Sequence, residues 1–154
     1  MTDRGFLDGL KESFGLGGID PKQLSAPTLA YVGDAVYELV VRTMLVERLQ
    51  CKPNRLNSEA SSIVKASAQS QSMARIKPML DDEEIHIFKR GRNAHTATMA
   101  KNAKMSDYRR ATGFEALMGY LFLEERYDRL FELIKAGLPG ERKEDGAAEE
   151  SRGQ

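Results

Sequence analysis

Two acids stand where acids are costly to keep. Asp34 follows a glycine in Leu29-Ala30-Tyr31-Val32-Gly33-Asp34-Ala35-Val36-Tyr37-Glu38-Leu39, an otherwise apolar, helix-compatible run. Glu115 lies in Ala111-Thr112-Gly113-Phe114-Glu115-Ala116-Leu117-Met118-Gly119-Tyr120-Leu121, a second apolar stretch marked by glycines. A carboxylate on the packed side of a helix is costly unless a metal, another cation or hydrogen bonds compensate it. Two of them in matching contexts point to one shared cation. A hard ion such as Mg²⁺ takes oxygen ligands and keeps several waters. Two carboxylates plus substrate phosphate oxygens are enough to hold it, and the chemistry that follows is metal-assisted hydrolysis. The plain alternative for each acid is a solvated position on a helix. For Asp34, helical spacing puts Ala30, Tyr31, Tyr37 and Glu38 on the same face.

The second feature with chemical content is charge. The chain balances 23 bases against 23 acids, yet Glu84 to Arg110 holds seven bases and two acids. A basic stretch on a neutral protein is a local phosphate-binding surface in outline. Arg90, Arg92, Lys101, Lys104, Arg109 and Arg110 form it, and Asn93 can bond sugar or phosphate. An ordinary solvated face is the alternative for part of this set. His86 and His95 are too few and too isolated for a zinc or acid–base site, and no His-Asp dipeptide occurs. Cys51 is the single cysteine, which excludes an intramolecular disulfide and a cysteine-based zinc site. There is no apolar run long enough to span a bilayer and no signal-peptide core, so a soluble cytoplasmic protein without membrane partners is expected.

These residues need helices to position them. A length of 154 residues fits one domain. Residues 1–22 read as a flexible glycine-rich arm with one amphipathic turn around Phe6, Leu7 and Leu10. Ser25 or Thr28 can cap a helix with Pro27 in its first turn, and apolar residues recur at helical spacing from Leu29 to about Gln50. Asn54 or Asn57 starts the next helix, and Ser67 to Met79 reads as another, ending near Pro78. Asp81 to Glu84 are acids at a helix start, where the dipole favours them. Residues 94–106 read as a loop, Asp107 to Glu124 as a helix, and Tyr127 to Ala136 as the last. No strand-like alternation competes, so the class is all-α. The domain runs over residues 23–138, and residues 139–154 form a disordered polar tail.

At this point the residues resemble a family. Leu29 to Leu39 resembles the ribonuclease III signature, in which an acid, an aromatic and a Leu-Gly-Asp-Ala-Val run share one helix. Phe114-Glu115-Ala116-Leu117-Met118-Gly119 resembles the second acidic motif of that family. The likeness covers roughly Pro27 to Leu138, and no double-stranded-RNA-binding domain follows. With Arg90-Gly91-Arg92-Asn93-Ala94 and Lys101-Asn102-Ala103, the whole looks like the catalytic-domain-only branch, Mini-ribonuclease III. The resemblance implies a ribonuclease III-like helical bundle forming a two-fold homodimer, with one Mg²⁺ site per subunit and double-stranded RNA across both. Asp34 and Glu115 match its metal-binding carboxylates, and Tyr31 matches an aromatic that reaches the partner subunit, with a core aromatic as the alternative. Two family acids are absent: Ala30 and Thr112 stand in their places. That leaves water or the Thr112 hydroxyl to complete the ligand set. The implied activity is endonucleolytic hydrolysis leaving 5′-phosphate and 3′-hydroxyl ends with short 3′ overhangs. Maturation of 23S (large-subunit) ribosomal RNA on precursor particles is the implied role, with a large-subunit ribosomal protein assisting. A non-catalytic RNA-binding ribosome-assembly factor on the same fold is the alternative, kept open by Ala30 and Thr112.

Overall fold

In the computed structural model, residues 5–94 and 104–140 are described. Within them the regular elements are helices: α1 (Phe6–Phe14), α2 (Ala26–Leu49), α3 (Pro53–Val64), α4 (Ala66–Ile76), α5 (Asp82–Asn93), α6 (Met105–Leu123) and α7 (Tyr127–Gly137), with 3-10 turns at Pro21–Gln23 and Lys77–Met79. The all-α expectation is borne out.

Local chemistry explains most boundaries. The Ser25 hydroxyl accepts the Thr28 N–H at 3.2 Å and Pro27 occupies the first turn, so α2 starts where its cap dictates. It ends at Gln50, whose φ of 45° is left-handed and stops the helix. Asp81 and Glu84 form a reciprocal capping box that opens α5, with bonds of 2.8 and 3.0 Å. Two starts differ from expectation. Helix α3 begins at Pro53, the residue whose fixed φ suits a first turn, ahead of either asparagine. The single turn expected near Phe6 is a nine-residue helix, which buries Leu7 and brings Phe6 within 6.4 Å of the Phe122 ring.

Helix α6 is the axis of the molecule. It is buried nearly all round, from Phe114 through Leu121 apart from the half-buried Glu115, because α2, α4, α5 and α7 all pack on it. Tyr37 of α2 meets Phe114 of α6 edge-on, with ring centres 5.0 Å apart. The closest approach is between α2 and α6 at Gly33 and Gly119. A Cβ on Gly33 would overlap the Glu115 carbonyl, and one on Gly119 would overlap the Leu29 carbonyl. Backbone therefore rests on backbone at this crossing, and the two glycines permit it.

A buried ion pair ties α7 to the start of α5. Glu84 is 0% exposed. Arg129 grips it with two hydrogen bonds of 2.9 and 2.8 Å and also donates to the Met79 carbonyl at 2.7 Å. Burial alone would raise the Glu84 pKa. The Arg129 hydrogen bonds, the Asp81 amide and the charges of Arg129 and Arg126 outweigh it and hold the carboxyl below its ordinary value. Stability from this pair is therefore complete above the ordinary carboxylate pKa and is lost as pH falls through the lower folded value. Arg129→Met leaves the charge buried without its partner, and urea unfolding at pH 7 should show a loss of about 3–5 kcal/mol. That loss should shrink as Glu84 is protonated at acid pH.

Candidate active site

Helices α2, α4 and α6 enclose a cleft of about 270 Å³ that contains both Asp34 and Glu115. The two acids are unequal. Asp34 is exposed at the rim, not on the packed side as the apolar run implied, because Leu29, Gly33 and Tyr37 take the inward positions. Glu115 is the half-buried member of the pair. Burial, then the Asp34 carboxylate and, more weakly, Glu38 push its pKa up to about 7, while the neighbouring Gln69 amide pulls the other way. Asp34 is also raised, by burial first and Glu38 second. The Asp34 charge makes Glu115 harder to ionise, the electrostatic condition that a cation between them would relieve.

Ala30 and Thr112, where the resemblance implies two further acids, line this same cleft. The Thr112 hydroxyl donates to the Tyr108 carbonyl at 3.0 Å, which leaves its oxygen lone pairs open to the cleft. No group of three or more His, Cys, Asp or Glu side chains among the described residues could hold a metal. The cleft offers two carboxylates, the Thr112 hydroxyl oxygen and the Gln69 amide, an all-oxygen donor set when the amide oxygen is used. Such a set fits a hard divalent cation that keeps waters and takes substrate oxygens. Sequence reasoning missed Gln69, since its burial depends on how α4 packs rather than on any local pattern.

A second, wider cleft of about 520 Å³ lies between α4, α5 and α6. It gathers Arg92, Asn93, Arg109 and Arg110 from the expected basic set and adds Lys77, which the sequence reading did not single out. The Arg92 guanidinium sits 5.6 Å from the centre of the Phe88 ring and its Nε donates to the Asn93 side chain at 3.2 Å. The other members go elsewhere. Arg90 donates to the Leu24 carbonyl at 2.7 Å, bracing the segment before α2. Lys104 is exposed at the start of α6, and Lys101 lies outside the described residues, as do His95 and most of the expected 94–106 loop. The first half of α6 lines both clefts, with Thr112 and Glu115 in one and Arg109 and Arg110 in the other.

Tyr31 is 81% exposed, so the core-aromatic reading is set aside. It heads a stripe on α2 that continues through the exposed Ala35, Leu39 and Val46. Their spacing of four, four and seven keeps them on one face. No described helix is long and apolar enough to cross a membrane.

Comparison with known proteins gives this geometry a family. A family model described as the Ribonuclease III domain matches residues 27–126. A Mini-ribonuclease 3 of Enterococcus faecalis is 51% identical over 117 residues, covering 75% of this chain and 89% of that protein. One from Clostridium tetani is 47% identical over 118 residues, covering 75% and 78% respectively. A crystal structure of a Fusobacterium nucleatum protein superposes with a TM-score of 0.69 at 28% identity, covering 75% of this chain and 93% of that one. The family match takes in both acids, the glycine crossing that joins their helices and the basic cleft beside them; the chain belongs to the ribonuclease III family, in its Mini-ribonuclease 3 branch.

Proposed function

We propose that this chain is a Mg²⁺-dependent endoribonuclease that cuts double-stranded RNA as a two-fold homodimer. The observation that carries the reading is the cleft in which α2 and α6 bring Asp34 and Glu115 together. The family acts on double-stranded RNA, and its cleavage chemistry supplies 5′-phosphate and 3′-hydroxyl ends. Asp34 and Glu115 would hold the ion. When bound, Mg²⁺ supplies Lewis-acid stabilisation of phosphate charge and a more acidic water.

The chain's own residues do the rest. Lys77, Arg92, Arg109 and Arg110 neutralise backbone phosphates on the flank of the acidic cleft, which aligns the duplex and offsets the repulsion between RNA and two carboxylates. The apolar α2 stripe headed by Tyr31 is a face for the partner subunit, since a monomer gains nothing by exposing it. Two copies related by a two-fold axis would present one cleft to each strand. A precursor of 23S ribosomal RNA is the proposed cellular substrate, with a large-subunit ribosomal protein as a helper and the cytoplasm as the setting.

The test uses a long RNA duplex incubated with the purified protein in Mg²⁺ and in chelator. Cleavage in Mg²⁺ alone, with 5′-phosphate ends, is the expected result. Binding without cleavage would instead favour a ribosome-assembly factor. Arg92→Ala and Arg109→Ala are each expected to weaken duplex binding and reduce the slope of log affinity against log salt by about one phosphate contact. An unchanged slope in both, measured by filter binding across a salt series, would remove the basic cleft from the RNA path.

A further inference from the structure

Gln69 is buried in a way its packing does not explain. It sits on α4 at 1% exposure; its amide nitrogen faces the Glu115 carboxylate, short of full hydrogen-bond geometry, and its amide oxygen has no partner among the described residues. A buried amide oxygen without a partner lowers stability relative to an apolar side chain of the same shape. Its location is specific. It lines the cleft of Asp34 and Glu115, with its amide beside the Glu115 carboxylate. On the α2 and α6 walls of that cleft, the two positions where the resemblance implies acids offer a methyl group at Ala30 and an uncharged hydroxyl oxygen at Thr112. The free amide oxygen therefore stands in a cleft with only two carboxylates among its lining side chains.

We infer that Gln69 is a third protein donor of the divalent-cation site, its amide oxygen meeting the ion directly or through one bound water. The inference rests on the reading of Asp34 and Glu115 as cation ligands. A neutral donor suits this cleft: a third carboxylate would add to the repulsion that already exists between the two acids, whereas an amide oxygen adds a ligand without adding charge. The unpartnered amide oxygen then has an explanation: it is kept available for an ion, while the amide nitrogen faces the Glu115 carboxylate.

Mn²⁺ binding without RNA tests this, followed into the millimolar range by loss of the free-ion EPR signal, beside thermal melts in chelator. Four proteins are compared: wild type, Gln69→Met, Gln69→Glu and Asp34→Asn. Gln69→Met keeps the length of the side chain and removes its oxygen. It is expected to weaken Mn²⁺ binding about 10-fold or more while leaving the melting temperature in chelator unchanged or higher. Gln69→Glu restores an oxygen and is expected to bind Mn²⁺ at least as tightly as wild type. A side chain needed only for packing would give the opposite pattern, with a lower melting temperature in Gln69→Met and unaltered Mn²⁺ affinity. That pattern, with Asp34→Asn losing the ion, overturns the role of Gln69 alone. Mn²⁺ binding that is absent from wild type, or undiminished in Asp34→Asn, overturns the cation site and the inference with it.

Discussion

Glu115→Gln is expected to abolish duplex cleavage, by at least about a thousand-fold, and at the same time to make the metal-free protein more stable. The first effect follows from removing one of two carboxylates available to a cation, with no third acid in the cleft to take its place. The second follows from where the charge sits. The Glu115 pKa rises from 4.5 to about 7, so the folded state binds its proton more tightly than the unfolded chain does. Stability in chelator should therefore fall as pH climbs from about 4.5 through 7, and the full penalty applies above that. A shift of this size corresponds to roughly 3 kcal/mol at most, and solvent access reduces it to on the order of 1–3 kcal/mol. Glutamine carries no charge and escapes the penalty. Urea unfolding in chelator should show Glu115→Gln ahead of wild type at pH 8 and level with it at pH 4. Saturating Mg²⁺ should narrow the gap at pH 8, since the ion binds the folded wild type. A variant that is inactive and also less stable at pH 8 would mean that Glu115 serves the fold and not the site.

Gly33→Ala is expected to cost more than about 3 kcal/mol, above what an overpacked side chain usually costs. The added methyl would overlap the carbonyl of Glu115 and lie 2.7 Å from the amide nitrogen of Gly119, and neither belongs to a side chain that could swing away. The helices must separate, and Glu115 moves away from Asp34 as they do. Loss of fold and loss of site are thus linked at this crossing. Gly9→Ala in α1 is the matched control. Nothing lies within 4 Å of the new methyl there, and alanine in a helix interior is favoured over glycine by about 0.5–1 kcal/mol. Denaturant midpoints should move in opposite directions for the two substitutions. Equal, small shifts would show that the α2–α6 approach is looser than described.

Much of this was legible in the sequence, and the reasons differ from residue to residue. The Ser25 cap with Pro27 and the Asp81–Glu84 box are local devices, so short sequence patterns reveal them. Asp34 and Glu115 stood out because an acid is improbable in an apolar run, and the fold brings both to one cleft. Their relative burial could not be read, since it depends on which flank of each helix its neighbours cover. Gln69 gave no signal because amides are ordinary on helix surfaces, and its burial is decided by α4 lying against α6. Charge runs mislead for the same reason. Arg90 and Arg92 are two residues apart, yet one braces the Leu24 carbonyl and the other opens onto the basic cleft. Helix α1 is longer than the one turn that a glycine-rich arm suggests, because Leu7 gains a buried place only where the helix meets the body.

Asp34 and Glu115 together are proposed as the cutting centre for duplex RNA. Cleavage of a long RNA duplex by wild type and by Asp34→Asn, at equal protein and saturating Mg²⁺, checks that assignment most directly. Wild type should shorten the duplex progressively. Asp34→Asn should leave it intact while melting normally and still binding it. Cleavage by well-folded Asp34→Asn at the wild-type rate would remove Asp34 from the cutting centre.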